Sequence, residues 1–164
     1  MKMNGQRADE AAATPVRRQY VYDYPHPAVT ADCVVFCLDG GVLQVLLIQR
    51  AHEPCQGMWA FPGGFMDIDE TAEACAVREL KEETGLEVSD IRQVGAYSAV
   101  DRDPRERVVT IAFYALVPPS AVAGGDDAVA ARWFPVHDLP PLAFDHATIL
   151  RHALAALHRD HPMP

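Results

Sequence analysis

Basic residues are scarce in this chain. Its 164 residues include 14 Lys and Arg against 23 Asp and Glu, a formal charge of −9. A surface that grips nucleic-acid phosphates needs the opposite balance, so a general nucleic-acid binder is not expected. Long apolar runs are missing too. None approaches the ~20 residues of a membrane helix, and residues 1–19 hold no apolar stretch between their charges, so no secretory signal is expected there. The four cysteines, Cys33, Cys37, Cys55 and Cys75, form no CxxC pair. Cys33 and Cys37 fall in an apolar run, where a buried free thiol is the ordinary state. Four reduced thiols in a cytoplasmic protein are therefore expected. None of the seven histidines shows zinc-ligand spacing; His146 and His152 are read as surface or cap residues. No Gly-x-Ser-x-Gly elbow suggests a covalent serine mechanism. With 49% hydrophobic residues, 13 prolines and 10 glycines, the chain is neither disordered nor fibrous.

What is present reads as one compact domain over residues 20–160 behind a polar, Ala-rich flexible arm at residues 1–19. Tyr20, Tyr22 and Tyr24 alternate before Pro25 and Pro27, which suggests an edge strand. Residues 28–38 and 42–49 are β-rich apolar runs joined by a hairpin signal, Asp39-Gly40-Gly41. A loop covers residues 51–57, and a short strand lies near residues 58–61. Further strands are predicted at residues 91–98, 107–117 and 129–134. A helix over residues 71–84 has Thr71 as N-cap and Gly85 as its stop. Its buried side is expected to carry Ala72, Cys75, Ala76 and Leu80, with Leu86 beyond. Asp145 is expected to cap a second amphipathic helix over residues 146–158. Strands, a helix, more strands and a helix make an α+β or mixed-sheet fold.

The acidic excess is concentrated. Residues 64–90 hold nine acidic side chains against two basic ones, Arg78 and Lys81. Glu79, Glu82 and Glu83 stand at i, i+3 and i+4 and so share one helix face. Three like charges there repel unless something compensates them. A solvated acidic helix is one reading. A site for a hard divalent cation is the other, since Mg²⁺ takes oxygen ligands.

The residues around this trio decide between the two. Gly64, Glu70, Arg78-Glu79-Leu80, Glu82-Glu83, Gly85 and Leu86 reproduce the pattern GX5EX7REUXEEXGU, with U aliphatic, at every specified position. The segment resembles the Nudix box. The approach Trp59-Ala60-Phe61-Pro62-Gly63-Gly64, the strand ending in Arg50 and the late Leu-Pro-Pro-Leu-Ala-Phe-Asp-His also resemble Nudix proteins of the ADP-ribose pyrophosphatase type. The likeness covers about residues 25–158.

The resemblance implies an α/β/α sandwich in which a mixed, curved sheet lies between helices. It implies Glu79, Glu82 and Glu83 as Mg²⁺ ligands, with the Gly64 carbonyl as a further one and Mn²⁺ as the alternative ion. Glu82 is the box position most often given general-base duty. Arg78 should pair with a box carboxylate, Glu70 first. Arg50 is a phosphate contact, because a guanidinium grips two oxygens at once. Asp101, Arg102 and Arg105 belong to a charged loop that faces the site in relatives of this type, against the plainer reading of a hairpin turn. Phe65 is a substrate-contact candidate, although it, Trp59 and Phe61 are more often packing residues. Glu106 is a minor candidate for a base outside the box.

The implied reaction is metal-assisted attack of water on a diphosphate-linked nucleotide. ADP-ribose, giving AMP and ribose 5-phosphate, is the first-ranked substrate. NADH, other nucleoside diphosphate derivatives and oxidised nucleoside triphosphates stay open, because the box fixes the bond broken and not the leaving group. The proline marker of many ADP-ribose pyrophosphatases is not at its usual spacing: the nearest is Pro104. A binding module is the other class. Some Nudix domains with similar ends sense ADP-ribose and regulate transcription through an added winged helix; this chain ends at Pro164, soon after its last predicted helix, so catalysis is expected. The partner expected is a small nucleotide substrate, with no membrane and no nucleic acid. Dimers are common among relatives, and a homodimer is left open.

Overall fold

The computed structural model describes residues 20–125 and 128–162; the arm expected at residues 1–19 lies outside them. The chain runs β1 (Ala28–Asp39), β2 (Val42–Arg50), β3 (Trp59–Ala60), β4 (Gly63–Phe65), α1 (Ala72–Thr84), β5 (Arg92–Tyr97), β6 (Val108–Val117), β7 (Ala128–Pro135) and α2 (His146–Asp160). The seven strands form one mixed sheet. Its central path is β3-β2-β1-β6-β5, with β4 also on β1 and β7 also on β2. Strands β1 and β6 pair in parallel over ten residues; the other pairs are antiparallel.

Both faces of the sheet are covered, which explains why its central strands read as unbroken apolar runs rather than alternating ones. Side chains alternate between the two sides. Ala31, Cys33 and Val35 of β1, Leu46 and Ile48 of β2, and Phe113 and Ala115 of β6 pack with Cys75, Ala76 and Leu80 of α1. Their neighbours Val34, Phe36, Val45, Leu47, Ala112 and Tyr114 pack with Ile149, Leu150, Ala153 and Leu157 of α2. The expected α+β sandwich, a mixed sheet between helices, is the fold found.

Local chemistry accounts for the ends of α1. Thr71 Oγ1 accepts from the Ala74 N–H at 3.2 Å, and Gly85 closes the helix at φ 72° with its N–H on the Lys81 carbonyl. Only a residue free to adopt the left-handed region does this without strain. The apolar side predicted for this helix is partly deeper than expected. Cys75, Ala76 and Leu80 are buried, Ala72 and Leu86 are half-buried, and Glu83 and Thr84 are buried with them.

Two local expectations fail. Tyr20, Tyr22 and Tyr24 form no strand; they are exposed, and the sheet begins at Ala28. Pro25 and Pro27 remove two ladder donors from this segment. Asp145 occupies the N-cap of α2 but makes no side-chain cap bond. Its carboxylate is taken by Arg102, at 3.0 and 2.6 Å.

The sheet contains a fork. Strand β1 pairs with β2 only over Phe36–Asp39. Towards its start it pairs instead with β4, over Thr30–Asp32. Strand β2, past Val45, takes β3 on that side at Ile48 and Gln49. The two central strands thus part, and the β3–β4 segment fills the gap.

Leu80 is fully buried and Leu38 is 48% exposed. Leu80→Ala is expected to cost about 2–5 kcal/mol, and Leu38→Ala less than about 0.5 kcal/mol. Urea unfolding followed by circular dichroism checks both.

Candidate active site

A cleft of about 370 Å³ opens at the fork. Its walls are Thr30 and Asp32 of β1, Ile48 and Arg50 of β2, the segment from Ala60 to Phe65, Arg78, Glu79 and Glu83 of α1, the loop residues Arg102, Asp103 and Arg105, and Phe144 and His146 at the start of α2. The fork explains the mixture: where β1 and β2 part, side chains from both covered faces reach one space.

The box residues hold each other in a fixed arrangement. Arg78 donates from Nε and Nη2 to the two oxygens of Glu70, at 3.0 and 2.6 Å. Its Nη1 donates to Glu79 at 2.7 Å and to Glu82 at 3.1 Å. This is the pairing with Glu70 that the resemblance implied, with two further carboxylates on the same guanidinium. Hydrogen bonds from Arg78 hold the Glu70 carboxyl well below its ordinary 4.5, at about 2. Burial pushes Glu79 the other way, upward, against the pull of Arg78. Glu83 is buried and accepts from the Gly63 N–H at 2.9 Å.

Glycine is required at the approach to the box by contact rather than by conformation. A Cβ on Gly63 would lie 2.3 Å from Asp32 Oδ1 and 2.5 Å from the Ala31 carbonyl. One on Gly64 would lie 2.5 Å from the Glu79 carboxylate. A side chain at Gly63 would push β4 off β1, and one at Gly64 would push against Glu79 of α1. The Gly64 carbonyl faces α1, where it accepts from the Cys75 thiol at 3.7 Å.

The other candidates separate. Arg50, Phe65, Arg102 and Arg105 line the cleft, and so does Gly64; Glu70, Glu82, Asp101 and Glu106 do not. Glu82 stands at the rim, its side chain 47% exposed, and is tied to the site through Arg78. Asp101 is a correction. It is exposed, because Arg102 is the residue the turn directs inward, where Asp145 takes it. Arg105 is tied to Asp103 through Nε and Nη2, and its guanidinium lies 5.2 Å over the Phe65 ring. Arg50 donates Nε to the Pro54 carbonyl at 2.9 Å and stacks on Phe144 at 4.9 Å. Trp59 and Phe61 pack as expected, Trp59 edge-on to Phe134 and Phe61 in the core.

Two residues of the site were not singled out from the sequence. His146, expected at the surface, is buried. Its Nδ1 accepts from the Phe61 N–H at 3.0 Å, and its ring stacks on Phe61 at 4.9 Å. Asp32 is buried beside it, with Oδ2 3.8 Å from His146 Nε2. Burial drives both groups toward their neutral forms, raising Asp32 to about 7 and lowering His146 to about 3. A signal for Asp32 was present: it is the one acidic residue inside an apolar run long enough for a doubly covered strand. Nothing near His146 announced its partner.

With this geometry in place, comparison with known proteins is informative. Residues 26–156 match the NUDIX domain family. The chain belongs to the Nudix family. It is 43% identical over 128 residues to the ADP-ribose pyrophosphatase of Methanocaldococcus jannaschii, covering 78% of this chain and 73% of that one. It is 38% identical over 141 residues to the ADPR responsive transcriptional repressor NtrR of Acinetobacter baylyi, covering 83% of this chain and 56% of the repressor. Among solved structures, the NUDIX domain of Shewanella oneidensis NrtR complexed with ADP ribose superposes with a TM-score of 0.77 at 33% identity, over 82% of this chain and 90% of that one. This chain therefore spans little more than half of the repressor's length and about three quarters of the pyrophosphatase's.

Glu70 carries a pH signature. Its carboxyl is ordinary in the unfolded chain and depressed in the folded one, so its contribution is complete above about 4.5 and is lost as pH falls toward about 2. Arg78→Lys removes the two-pronged grip. The variant is expected to lose less stability than the wild type between pH 5 and pH 2.5. Urea midpoints at the two pH values check this; equal losses would show that Arg78 does not set the Glu70 titration.

Proposed function

We propose that this Nudix protein is a divalent-cation-dependent pyrophosphohydrolase that cleaves ADP-ribose to AMP and ribose 5-phosphate. The observation that carries the reading is the single cleft in which box carboxylates of α1 face the arginines of β2 and the 101–105 loop. The similarity to an ADP-ribose pyrophosphatase over most of both chains and to a Nudix domain that binds ADP-ribose supports that substrate over other nucleotides. A net charge of −9 supports a small-molecule substrate over a nucleic acid.

The donor set fits a hard cation. Glu79 and Glu82 already bring their oxygens to one positive centre, Arg78 Nη1, and Glu83 lies next on the same face. As the side chains stand, no three Asp, Glu, His or Cys residues among the described residues converge as around an ion. Glu79, Glu82 and Glu83 would hold the ion, Mg²⁺ in our reading with Mn²⁺ as the alternative, and the Gly64 carbonyl would add to them. When bound, it offsets the diphosphate's charge and polarises a phosphoryl oxygen.

The rest of the chemistry falls to the chain. Arg102 and Arg105 each have two nitrogens committed to carboxylates, Asp145 and Asp103. Among the described residues Arg50 hydrogen-bonds through Nε alone, to Pro54, so its outer edge would be the fork that grips two phosphate oxygens. In this reading Glu82, whose carboxylate Arg78 holds at 3.1 Å, takes a proton from water. Attack in line at phosphorus then forms one P–O bond and breaks the bridging one, leaving two phosphate monoesters. Glu70 acts through Arg78 as a positioning residue.

The repressor similarity favours one second reading, an ADP-ribose sensor that binds without turnover. A substrate panel of ADP-ribose, NADH, diadenosine polyphosphates, sugar nucleotides and 8-oxo-dGTP with Mg²⁺ separates the two. AMP and ribose 5-phosphate are expected from ADP-ribose, with Glu82→Gln lowering kcat/KM by about 100-fold or more. A chelator should abolish turnover, and Mg²⁺ or Mn²⁺ should restore it. Faster turnover of another member would replace ADP-ribose; tight calorimetric binding with no turnover of anything would replace the enzyme with the sensor.

A further inference from the structure

One pair of groups in the cleft has no task in the reaction above. Asp32 lies on the floor, at the point where β1 leaves β2. Its side chain is 10% exposed and makes no hydrogen bond among the described residues; Nε2 of the neutral His146 ring lies 3.8 Å from its Oδ2. That is too long for a hydrogen bond. The carboxylate lines the cleft, so a molecule bound there can reach it.

The protonation of His146 is fixed by geometry. Its Nδ1 accepts the Phe61 N–H, so the neutral ring carries its proton on Nε2, which is the nitrogen facing Asp32. The cleft floor therefore presents a donor and an acceptor side by side. One oxygen placed above the two can lie within hydrogen-bond distance of both. A hydroxyl is the group that suits the pair: it accepts from Nε2–H and donates to the carboxylate. It also suits the pair when Asp32 is protonated, because it can accept instead. A phosphate oxygen can accept from both groups only when Asp32 is protonated, and an ammonium has no lone pair for Nε2–H in either state; a hydroxyl fits both.

A planar base is less suited to this spot. The His146 ring is stacked on Phe61 and also meets Phe144, tilted at 42° with centroids 5.7 Å apart, and Phe144 in turn carries Arg50. The exposed aromatic of the cleft is Phe65, at the box side.

We propose that Asp32 and His146 form a hydroxyl-recognition pair that selects substrates by a sugar hydroxyl close to the diphosphate. The proposal rests on the ADP-ribose reading for its probe and deepens it by assigning what reads the sugar. Asp32 and His146 lie 114 positions apart in sequence and meet only because the fork lets β1 and the start of α2 share the cleft.

The test is a thermodynamic cycle between protein and ligand. ADP-ribose and analogues with single ribose hydroxyls replaced by hydrogen are compared on wild type, Asp32→Ala and Asp32→Asn. Both kcat/KM with Mg²⁺ and calorimetric Kd without it are read. One deoxy analogue is expected to lose about 10- to 100-fold on wild type, and that loss is expected to vanish in Asp32→Ala. His146→Phe should shrink the same ratio, with the other analogues unaffected. A wild type indifferent to every hydroxyl, or an Asp32→Ala that weakens all ligands equally and keeps the deoxy ratio, overturns the proposal. If Asp32→Ala does not fold, Asp32→Asn decides, since the amide keeps the shape and changes the hydrogen bonds offered. Failure of the wild type to bind or cleave ADP-ribose at all would instead sink the functional reading, which keeps the two failures distinct.

Discussion

The site depends on one guanidinium among carboxylates. Glu79, Glu82 and Glu83 follow each other on one face of α1, and two unit charges 4 Å apart repel by about 1 kcal/mol in water and about 4 kcal/mol near a protein surface. Arg78 answers this within the chain. It divides its donors between Glu70 on one edge and Glu79 and Glu82 at Nη1, and it also reaches the Phe65 carbonyl at 3.3 Å. One side chain thus ties the strand that precedes the helix, the turn that enters it and the helix itself. A lysine could neutralise the charge and could not span the three. The apolar side of α1 does the complementary work: Cys75, Ala76 and Leu80 are buried against the sheet, so the carboxylates have a rigid base from which to converge.

The sheet supplies what the helix cannot. A continuous β1–β2 ladder would have no space between its strands, and its two faces would never meet. By pairing with β2 at one end and with β4 at the other, β1 opens a gap in the middle of the molecule. The gap is tight on the box side, where Gly63 and Gly64 sit against Asp32 and Glu79 with no room for a Cβ. It is open on the other, where Arg50 and Phe144 stand. The buried Thr30–Thr110 hydroxyl pair, 2.6 Å apart across β1 and β6, satisfies polar groups that the opening would otherwise leave in the core.

Most of the elements were legible because their signals are local. The hairpin at Asp39-Gly40-Gly41, the Thr71 cap, the Gly85 stop and the box spacing each lie within a few residues of what they determine. The alternation that assigns Val35 to one core and Val34 to the other follows from the strand period alone. What was not legible depends on partners distant in sequence. Asp145 has the right residue type and position for a cap, and a guanidinium 43 positions earlier claims it. Asp101 and Arg102 are adjacent, so one turned inward puts the other outside. His146 looked like a surface residue because nothing in its own helix shows that Phe61 supplies an N–H and a ring face 85 positions away. The tyrosines before β1 have strand periodicity, and periodicity forms no strand unless the segment pairs with another.

The Asp145–Arg102 pair shows which demand wins when a residue can serve two. A side-chain cap contributes about 1 kcal/mol to a helix, and α2 goes without it. In return, the guanidinium of Arg102, 4% exposed, is held at two nitrogens by a carboxylate that is itself mostly covered. A buried arginine with its partner removed costs about 3–5 kcal/mol, so the charged loop could not be packed inward at Arg102 unless α2 offered an acid there. The pair also fixes the residue that follows. His146 begins α2 immediately after Asp145, so the same clamp that seats the loop sets where the imidazole stands against Phe61. The start of α2 is therefore better understood as a wall of the cleft than as an optimised helix terminus. Its missing cap is the local rule broken where the chain needs two distant segments in register.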